Sequence, residues 1–298
     1  MPTETVTISA SVGLRRDELA PVRALLARCN THDGTELFLA LKTAVAGDDT
    51  TPFYLLAREA GALVGVAELV GYREIEGTIL VEPARRRRGL GRWLATEAAR
   101  ELARRELTSW LLACDEAFPG GAAFAGALGG ERTFYEHRLT LDPARVPPAN
   151  RHPAPLDFRR AHGSDGPAIA AITAAAFGDP PDAVLEWIAQ DLARPDRRWF
   201  LGLEHGVPVG SLRVIAIAGG ADITAFGVLP QHQGRGHGRA ILSRTIALLL
   251  AEGVAPINIE VETENATALG LYRSCGFVPQ HTYGYYRVAT APGAASAG

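Results

Sequence analysis

The sequence predicts an α/β fold of the α+β kind, built as two tandem domains that each carry a mixed, mainly antiparallel sheet flanked by helices. Three observations predict it. One order of strands and helices reads twice along the 298-residue chain, at a period near 150 residues. In each copy, strand-like runs joined by short breaks precede a glycine-rich turn. In each copy that turn opens directly onto an amphipathic helix: "PARRRRGLGRWLA" at 83–95 and "PQHQGRGHGRAIL" at 230–242. A chain of this length is long for one core and suits two domains of about 150 residues.

The elements follow in order. In the first half a strand is expected at 5–9, helices at roughly 17–29 and 34–46, and strands at 53–59, 62–70 and 76–82. A long helix follows at 90–106, a strand at 108–114, and a closing strand in "RTFYEHRLTLD". "DPARVPPANRHPAP", 142–155, holds five prolines in 14 residues without apolar periodicity, which predicts an extended linker. In the second half "LDFRRA" is a short strand, and "SDGPAIAAITAAAF" is a helix with Ser164 and Asp165 as capping candidates and Ile169, Ile172 and Ala176 at helical spacing. A second helix covers 181–193. Strands at 198–204, 208–217 and 222–229 turn at His205-Gly206 and Gly219-Gly220. A helix at 238–253 ends at Gly253, a strand covers 256–262, and a short helix at 265–276 closes at Gly276. "FVPQ" and "HTYGYYRVA" form the last strands. The expected domains are 1–142 and 156–290, with the linker at 143–155 and a small, polar, disordered tail at 291–298.

Composition narrows the function. A net charge of −3 argues against a nucleic-acid partner. Lys42 is the single lysine among 30 basic residues, a bias that carries little functional weight. The three cysteines, Cys29, Cys114 and Cys275, are odd in number and far apart, which fits free thiols in a reducing compartment. The N-terminus has no signal pattern and no run approaches 18 apolar residues, so the expected location is cytoplasmic, with no membrane partner. The eight histidines show no metal spacing, and no metal is expected; His232 and His237 read as loop or helix-start residues.

A glycine-rich turn that opens a helix is an anion site. The first N–H groups of a helix lack internal acceptors and sit at the positive end of its dipole. The turns are not nucleotide loops of the common kinds. GxxxxGK[ST] needs a lysine that is not there, and GxGxxG does not fit the spacing of Gly234, Gly236 and Gly238. The spacing [Gln/Arg]-x-x-Gly-x-Gly does fit, at Gln233–Gly238 and again at Arg86–Gly91, each after a strand ending "FGVLP" or "ILVEP". This resembles the coenzyme A pyrophosphate loop of the GCN5-related N-acetyltransferase (GNAT) superfamily, and the order of elements resembles it over nearly the whole chain. "NATALGLYRSCGF", 265–277, is similar to the family's N-x-x-A-x-x-L-Y-x-x-x-G-F segment, at Asn265, Ala268, Leu271, Tyr272, Gly276 and Phe277. The layout resembles that of a tandem two-domain, mycothiol synthase-like form of the family.

The resemblance implies two tandem GNAT-fold domains, with acetyl-CoA as co-substrate and no metal. It implies coenzyme contacts from Phe226, Val228, Gln233, Gly234, Arg235, Gly236, His237, Gly238, Arg239, Asn265 and Ala268. Tyr272 would protonate the departing thiolate. The first half shows no Asn-cap or LYxxxGF, although Phe134-Tyr135 offers a remnant. Its expected role is a degenerate copy that keeps a phosphate turn at Arg86, Arg87, Arg88, Gly89, Leu90 and Gly91. The arginine run there reads equally as a solvated basic turn or as a weak nucleic-acid patch. A base is needed for the amine. Strand alternation puts Asp222, Thr224, Phe226 and Val228 on one face, and the resemblance to the tandem form of the family, which carries an acidic residue at this offset, nominates Asp222, itself open to reading as a turn residue; Glu260 and Glu262 are reserves. The expected function is acetyl transfer to a primary amine of a small molecule in the C-terminal domain, by a monomer with an internal pseudo-dimer or by a homodimer. The alternatives are a non-catalytic acyl-CoA sensor and a mycothiol synthase-like acetyltransferase.

Overall fold

The computed structural model describes residues 6–43, 52–71, 74–148, 156–217 and 219–290. The chain divides into two compact units. Unit 1 is the first 136 residues together with those from His281 onward, and unit 2 is His137–Gln280. These differ from the expected spans 1–142 and 156–290, because each unit takes its closing strand from the other half of the sequence. Most of the expected linker (149–155) and the tail (291–298) lie outside the described residues.

Unit 1 contains β1 (Val6–Val12), α1 (Arg16–Asp33), β2 (Phe53–Glu59), β3 (Ala62–Val70), β4 (Glu76–Val81), α2 (Leu90–Arg104), β5 (Ser109–Asp115) and α3 (Pro119–Ala127). β6 (Glu131–Leu141) starts here and runs into unit 2, and β12 (Phe277–Ala289) contributes its residues from His281 on. The strand order is β1-β2-β3-β4-β5-β12, antiparallel except that β4 and β5 run parallel. Alternation assigns the two faces. Phe53, Leu55 and Ala57 pack with Leu94, Ala98 and Leu102 of α2, while Tyr54 and Leu56 pack with Val22, Leu25 and Cys29 of α1.

The helix expected at 34–46 is not formed over its described part, 34–43. Gly34 ends α1 in the left-handed conformation (φ 69°). The amides that a further helix would need go to side chains instead. Leu37 N–H donates to Asn30 Oδ1 (3.1 Å), Glu36 N–H to Asp115 (2.9 Å) and Ala40 N–H to Glu68 (2.8 Å). Positions 44–46 lie outside the described residues.

Glu68 is buried and also accepts the Tyr54 hydroxyl at 2.6 Å. Burial pushes its carboxyl up to about 7, against the hydrogen bonds that favour the anion. The folded chain therefore holds this proton more tightly than the unfolded chain. The resulting stability is fully present below the ordinary value of 4.5 and is lost as pH rises through 7, on the order of 3 kcal/mol in all. Glu68→Gln is expected to flatten that fall, read by urea unfolding between roughly pH 5 and 7.5. An unchanged slope would assign the pH dependence to other groups.

Unit 2 contains β7 (Asp157–Arg160), α4 (Gly166–Phe177), α5 (Pro181–Leu192), β8 (Arg197–Glu204), β9 (Val207–Ile217), β10 (Gly220–Val228), α6 (His237–Ala251), β11 (Ile257–Glu262) and α7 (Ala266–Ser274). Residues 137–141 of β6 complete it. The order is β6-β11-β10-β9-β8-β7, with β10 and β11 parallel. Trp199, Leu201 and Leu203 pack under α4 and α5; Phe200, Ile223 and Ile259 pack under α6. Asp165 precedes α4, but its carboxylate accepts from His162 N–H and binds the Arg159 guanidinium at 2.7 and 2.8 Å, so it does not cap the helix. The last two expected strands are one, β12, and the units divide within it at Gln280/His281. The three cysteines are buried and free. No helix of the described residues is long and apolar enough to cross a membrane.

Candidate active site

Both glycine turns fold alike, at a sequence offset of 147. After β10 a 3-10 turn (Pro230–His232) leads to extended Gln233, left-handed Gly234 (φ 74°) and Gly236 (φ 82°), the N-cap of α6. After β4 come Pro83–Arg85, extended Arg86, Arg87 (φ 60°) and Gly89 (φ 84°), the N-cap of α2. The first residue of each motif ties the turn to the strand it leaves. Gln233 Nε2 donates to the Val228 carbonyl at 2.9 Å, and Arg86 Nε donates to that of Val81 at 3.0 Å. The glycine caps bring no side chain to the amides of the first helical turn, which lack intrahelical acceptors, the arrangement that an anion can use.

Several of the residues expected to contact the coenzyme have partners within the protein. The Arg86 guanidinium grips Asp33 at 2.6 and 2.7 Å and lies over the Phe118 ring, so it is not free for a phosphate. Arg87 and Arg88 are exposed, and Leu90 is a core residue. In unit 2 the His237 ring is buried, which leaves its backbone N–H as the group facing the turn. Arg235 is half exposed with Glu204 at 3.5 Å, and Arg239 is partly buried. Asn265 caps α7, its Oδ1 accepting from Ala268 N–H at 3.0 Å. Ala268 packs on the core. Gly238 lies against Phe226 and Leu271.

Parallel pairing of β10 and β11 stops at Ile223↔Ile259, and that of β4 and β5 stops at Gly77↔Leu112. Beyond Gly77↔Leu112 the unit 1 pair leaves a cleft beside its turn. It is a cavity of about 520 Å³, lined by Val81, Arg87, Gly89, Gly91 and Asp115 among others. In unit 2, Phe226 and Val228 are partly buried and pack against the core. Tyr272 is buried beside them, its ring stacked with Phe226 at 6.2 Å and tilted against Phe277 at 6.3 Å. Burial and the neighbouring Cys275 raise the Tyr272 pKa, so the phenol keeps its proton.

The alternation that grouped Asp222 with Phe226 and Val228 does not hold. A bulge between Thr224 and Gly227, with Ala225 at φ 45°, inserts one residue against β9 and flips the strand. Phe226 and Val228 join Ile223 on the α6 face, whereas Ala225 and Gly227 face α4. Asp222 accepts from Arg138 Nη2 (2.9 Å) and Asn258 Nδ2 (2.9 Å), and Glu260 accepts from Arg138 Nη1 (2.7 Å). One arginine thus bridges both acids. Burial raises the Glu260 pKa, opposed by the Arg138 charge.

α3 is the counterpart of α7 that no motif revealed. Both have nine residues, at the same offset of 147. Phe118 stands where unit 2 has Asn265, and buried Ala125 stands where it has Tyr272. Phe134 and Tyr135 are not the remnant; they lie on β6, where Phe134 stacks with Tyr285 and Tyr135 takes a hydrogen bond from Arg132. The glycine turn is duplicated, and the Asn265–Tyr272 pair is not.

A family model described as the acetyltransferase (GNAT) family matches residues 19–129 and 167–277, once in each half. The chain belongs to the GNAT acetyltransferase family. This GNAT enzyme is 29% identical over 262 residues to a mycothiol acetyltransferase of Clavibacter michiganensis, covering 84% of this chain and 85% of that one. It is 31% identical over 288 residues to a mycothiol acetyltransferase of Beutenbergia cavernae, covering 90% and 94%. Two solved structures share the fold. A GCN5-related N-acetyltransferase from Sphaerobacter thermophilus has a TM-score of 0.78 at 22% identity, covering 96% of both chains. A tandem GNAT protein from the clavulanic acid biosynthesis pathway has a TM-score of 0.74 at 18% identity, covering 97% and 99%. Use of acetyl-CoA follows from the family.

Proposed function

We propose that this GNAT acetyltransferase transfers acetyl from acetyl-CoA to the primary amine of a small molecule, within unit 2, and that the acceptor is of the mycothiol type. The observation that carries the assignment to unit 2 is the pair of differences at equivalent positions, Asn265 against Phe118 and Tyr272 against Ala125. The acceptor class rests on the mycothiol acetyltransferases that resemble the chain along most of its length.

The amides of His237, Gly238 and Arg239 receive the pyrophosphate, with Arg235 and Arg239 as charged neighbours. Backbone groups of Phe226 and Val228 and the Asn265 amide guide the pantetheine arm. Attack needs a neutral amine. Glu260, with its raised pKa, takes the proton, and Asp222 holds Arg138 against it. Tyr272 protonates the leaving thiolate. The cavity beside the 86–91 turn favours a second reading for unit 1: it holds a coenzyme molecule without turning it over.

Titration calorimetry with acetyl-CoA, joined to turnover on an amine panel that includes the mycothiol precursor, tests these assignments. Turnover is expected to survive Gly89→Val and to be lost in Gly236→Val, with one binding event removed by each. Turnover lost with Gly89 and retained without Tyr272 would place the chemistry in unit 1. Coenzyme binding with no turnover on any amine would favour a sensor.

A further inference from the structure

Glu204, His232 and His237 meet at the foot of the unit 2 phosphate turn, and one donor atom from each lies within 4.8 Å of the others. They come from three separate places. Glu204 ends β8 just before the His205-Gly206 turn, His232 ends the 3-10 turn, and His237 is the first residue of α6. His232 Nδ1 is 2.9 Å and His237 Nε2 3.4 Å from the Glu204 carboxylate. Neither contact has hydrogen-bond geometry. The His237 ring is 3% exposed, and both of its nitrogens are buried without a hydrogen-bond partner, as is His232 Nδ1. A buried imidazole with two unpaired nitrogens is rare in folded proteins and asks for a ligand.

Unit 1 shows what these positions need when their role is only structural. Glu59 precedes the Ala60-Gly61 turn as Glu204 precedes its own, and it is ion-paired with Arg85, the counterpart of His232. Leu90, the counterpart of His237, fills the helix start with apolar packing. An arginine and a leucine therefore suffice to anchor the turn. Unit 2 replaces both with imidazoles and keeps the acid.

We propose that Glu204, His232 and His237 bind a divalent transition-metal ion of the zinc class. Two imidazoles and one carboxylate are borderline donors that suit zinc, whereas magnesium and calcium favour all-oxygen sets. Donor distances of about 2.0–2.2 Å are reached by small side-chain rotations from the present arrangement. Three protein ligands leave a tetrahedral ion one position for water. Among the described residues the arginine paired with Glu204 is Arg235, whose half-exposed guanidinium lies 3.5 Å from it and is long enough to swing away. The ion would clasp the turn onto the β8–β9 hairpin, in the place of the Arg85–Glu59 pair of unit 1, and release Arg235 toward the coenzyme phosphates.

The test uses the full chain, stripped with a chelator and titrated with zinc chloride against a chromophoric competitor. One equivalent is expected to bind, with a rise in melting temperature. The double variant His232→Arg/His237→Leu copies unit 1, so its metal-free form should fold at least as stably as the parent. It is expected to lose zinc affinity by more than the roughly 100-fold that loss of an outer partner costs. Glu204→Gln, a smaller change, should lose affinity likewise. Zinc that binds the parent no more tightly than the variants, or that leaves the parent's melting temperature unmoved, overturns the site and leaves Glu204 an ordinary ion-pair partner.

Discussion

Replacing Tyr272 with Phe is expected to lower kcat and kcat/KM together, by about 10²–10⁴-fold, with coenzyme affinity and melting temperature held near those of the parent. The change removes one hydroxyl. It keeps the ring that stacks on Phe226 and meets Phe277, so packing gives little reason for a loss of stability. A phenol whose pKa is raised by burial carries its proton at neutral pH and can deliver it to a thiolate. The measurement needs an acceptor found in the amine screen and conditions in which chemistry limits turnover. An unchanged rate under those conditions would reduce Tyr272 to a packing residue.

Gly236→Val is expected to abolish productive coenzyme binding in unit 2. At φ 82° a β-branched side chain is strained, and its bulk stands where the amides of the first α6 turn approach the pyrophosphate. Restoring the native turn on binding costs about 1–3 kcal/mol, roughly ten- to hundredfold in affinity, before any direct obstruction is counted. Gly238→Ala is the control. Its Cβ would sit 3.4 Å from Leu271 and 3.6 Å from Phe226, ordinary contact distances, so a small effect is expected. A folded Gly236→Val protein that binds acetyl-CoA as tightly as the parent would sink the phosphate-turn assignment.

Local patterns carried much of the fold and the elements of the candidate site. The two turns, their helices and the Asn265–Tyr272 helix were legible because glycine spacing and capping act within a few residues of themselves. The misses have long-range causes. Residues 34–43 read as helical until Asn30, Glu68 and Asp115, distant in sequence or off the apolar pattern, took their amides. Arg86 read as a phosphate ligand because Asp33, 53 residues away, is invisible to a spacing rule. The Asp222 face was lost to a bulge at Ala225, where no glycine signalled the left-handed turn. α3 escaped because the two side chains that define its counterpart had become Phe118 and Ala125. The His232–His237–Glu204 group joins a turn to a strand end, and no linear motif spans that distance.

The exchange of closing strands has a consequence for the growing chain. β5 is complete once Asp115 has been made and β4 pairs with one of its edges, yet the strand for its other edge, β12, pairs with it only from Tyr283 on. At about 5–20 residues per second, the ribosome takes on the order of 10–30 s to supply it. Throughout that interval β5 presents an open edge, the kind of surface on which a second nascent chain can pair. Unit 2, by contrast, receives residues 137–141 before its own strands are made. The half that is synthesised first is therefore the half that must wait, and holdase chaperones are expected to cross-link to nascent chains stalled between β5 and β12 more than to chains released after it.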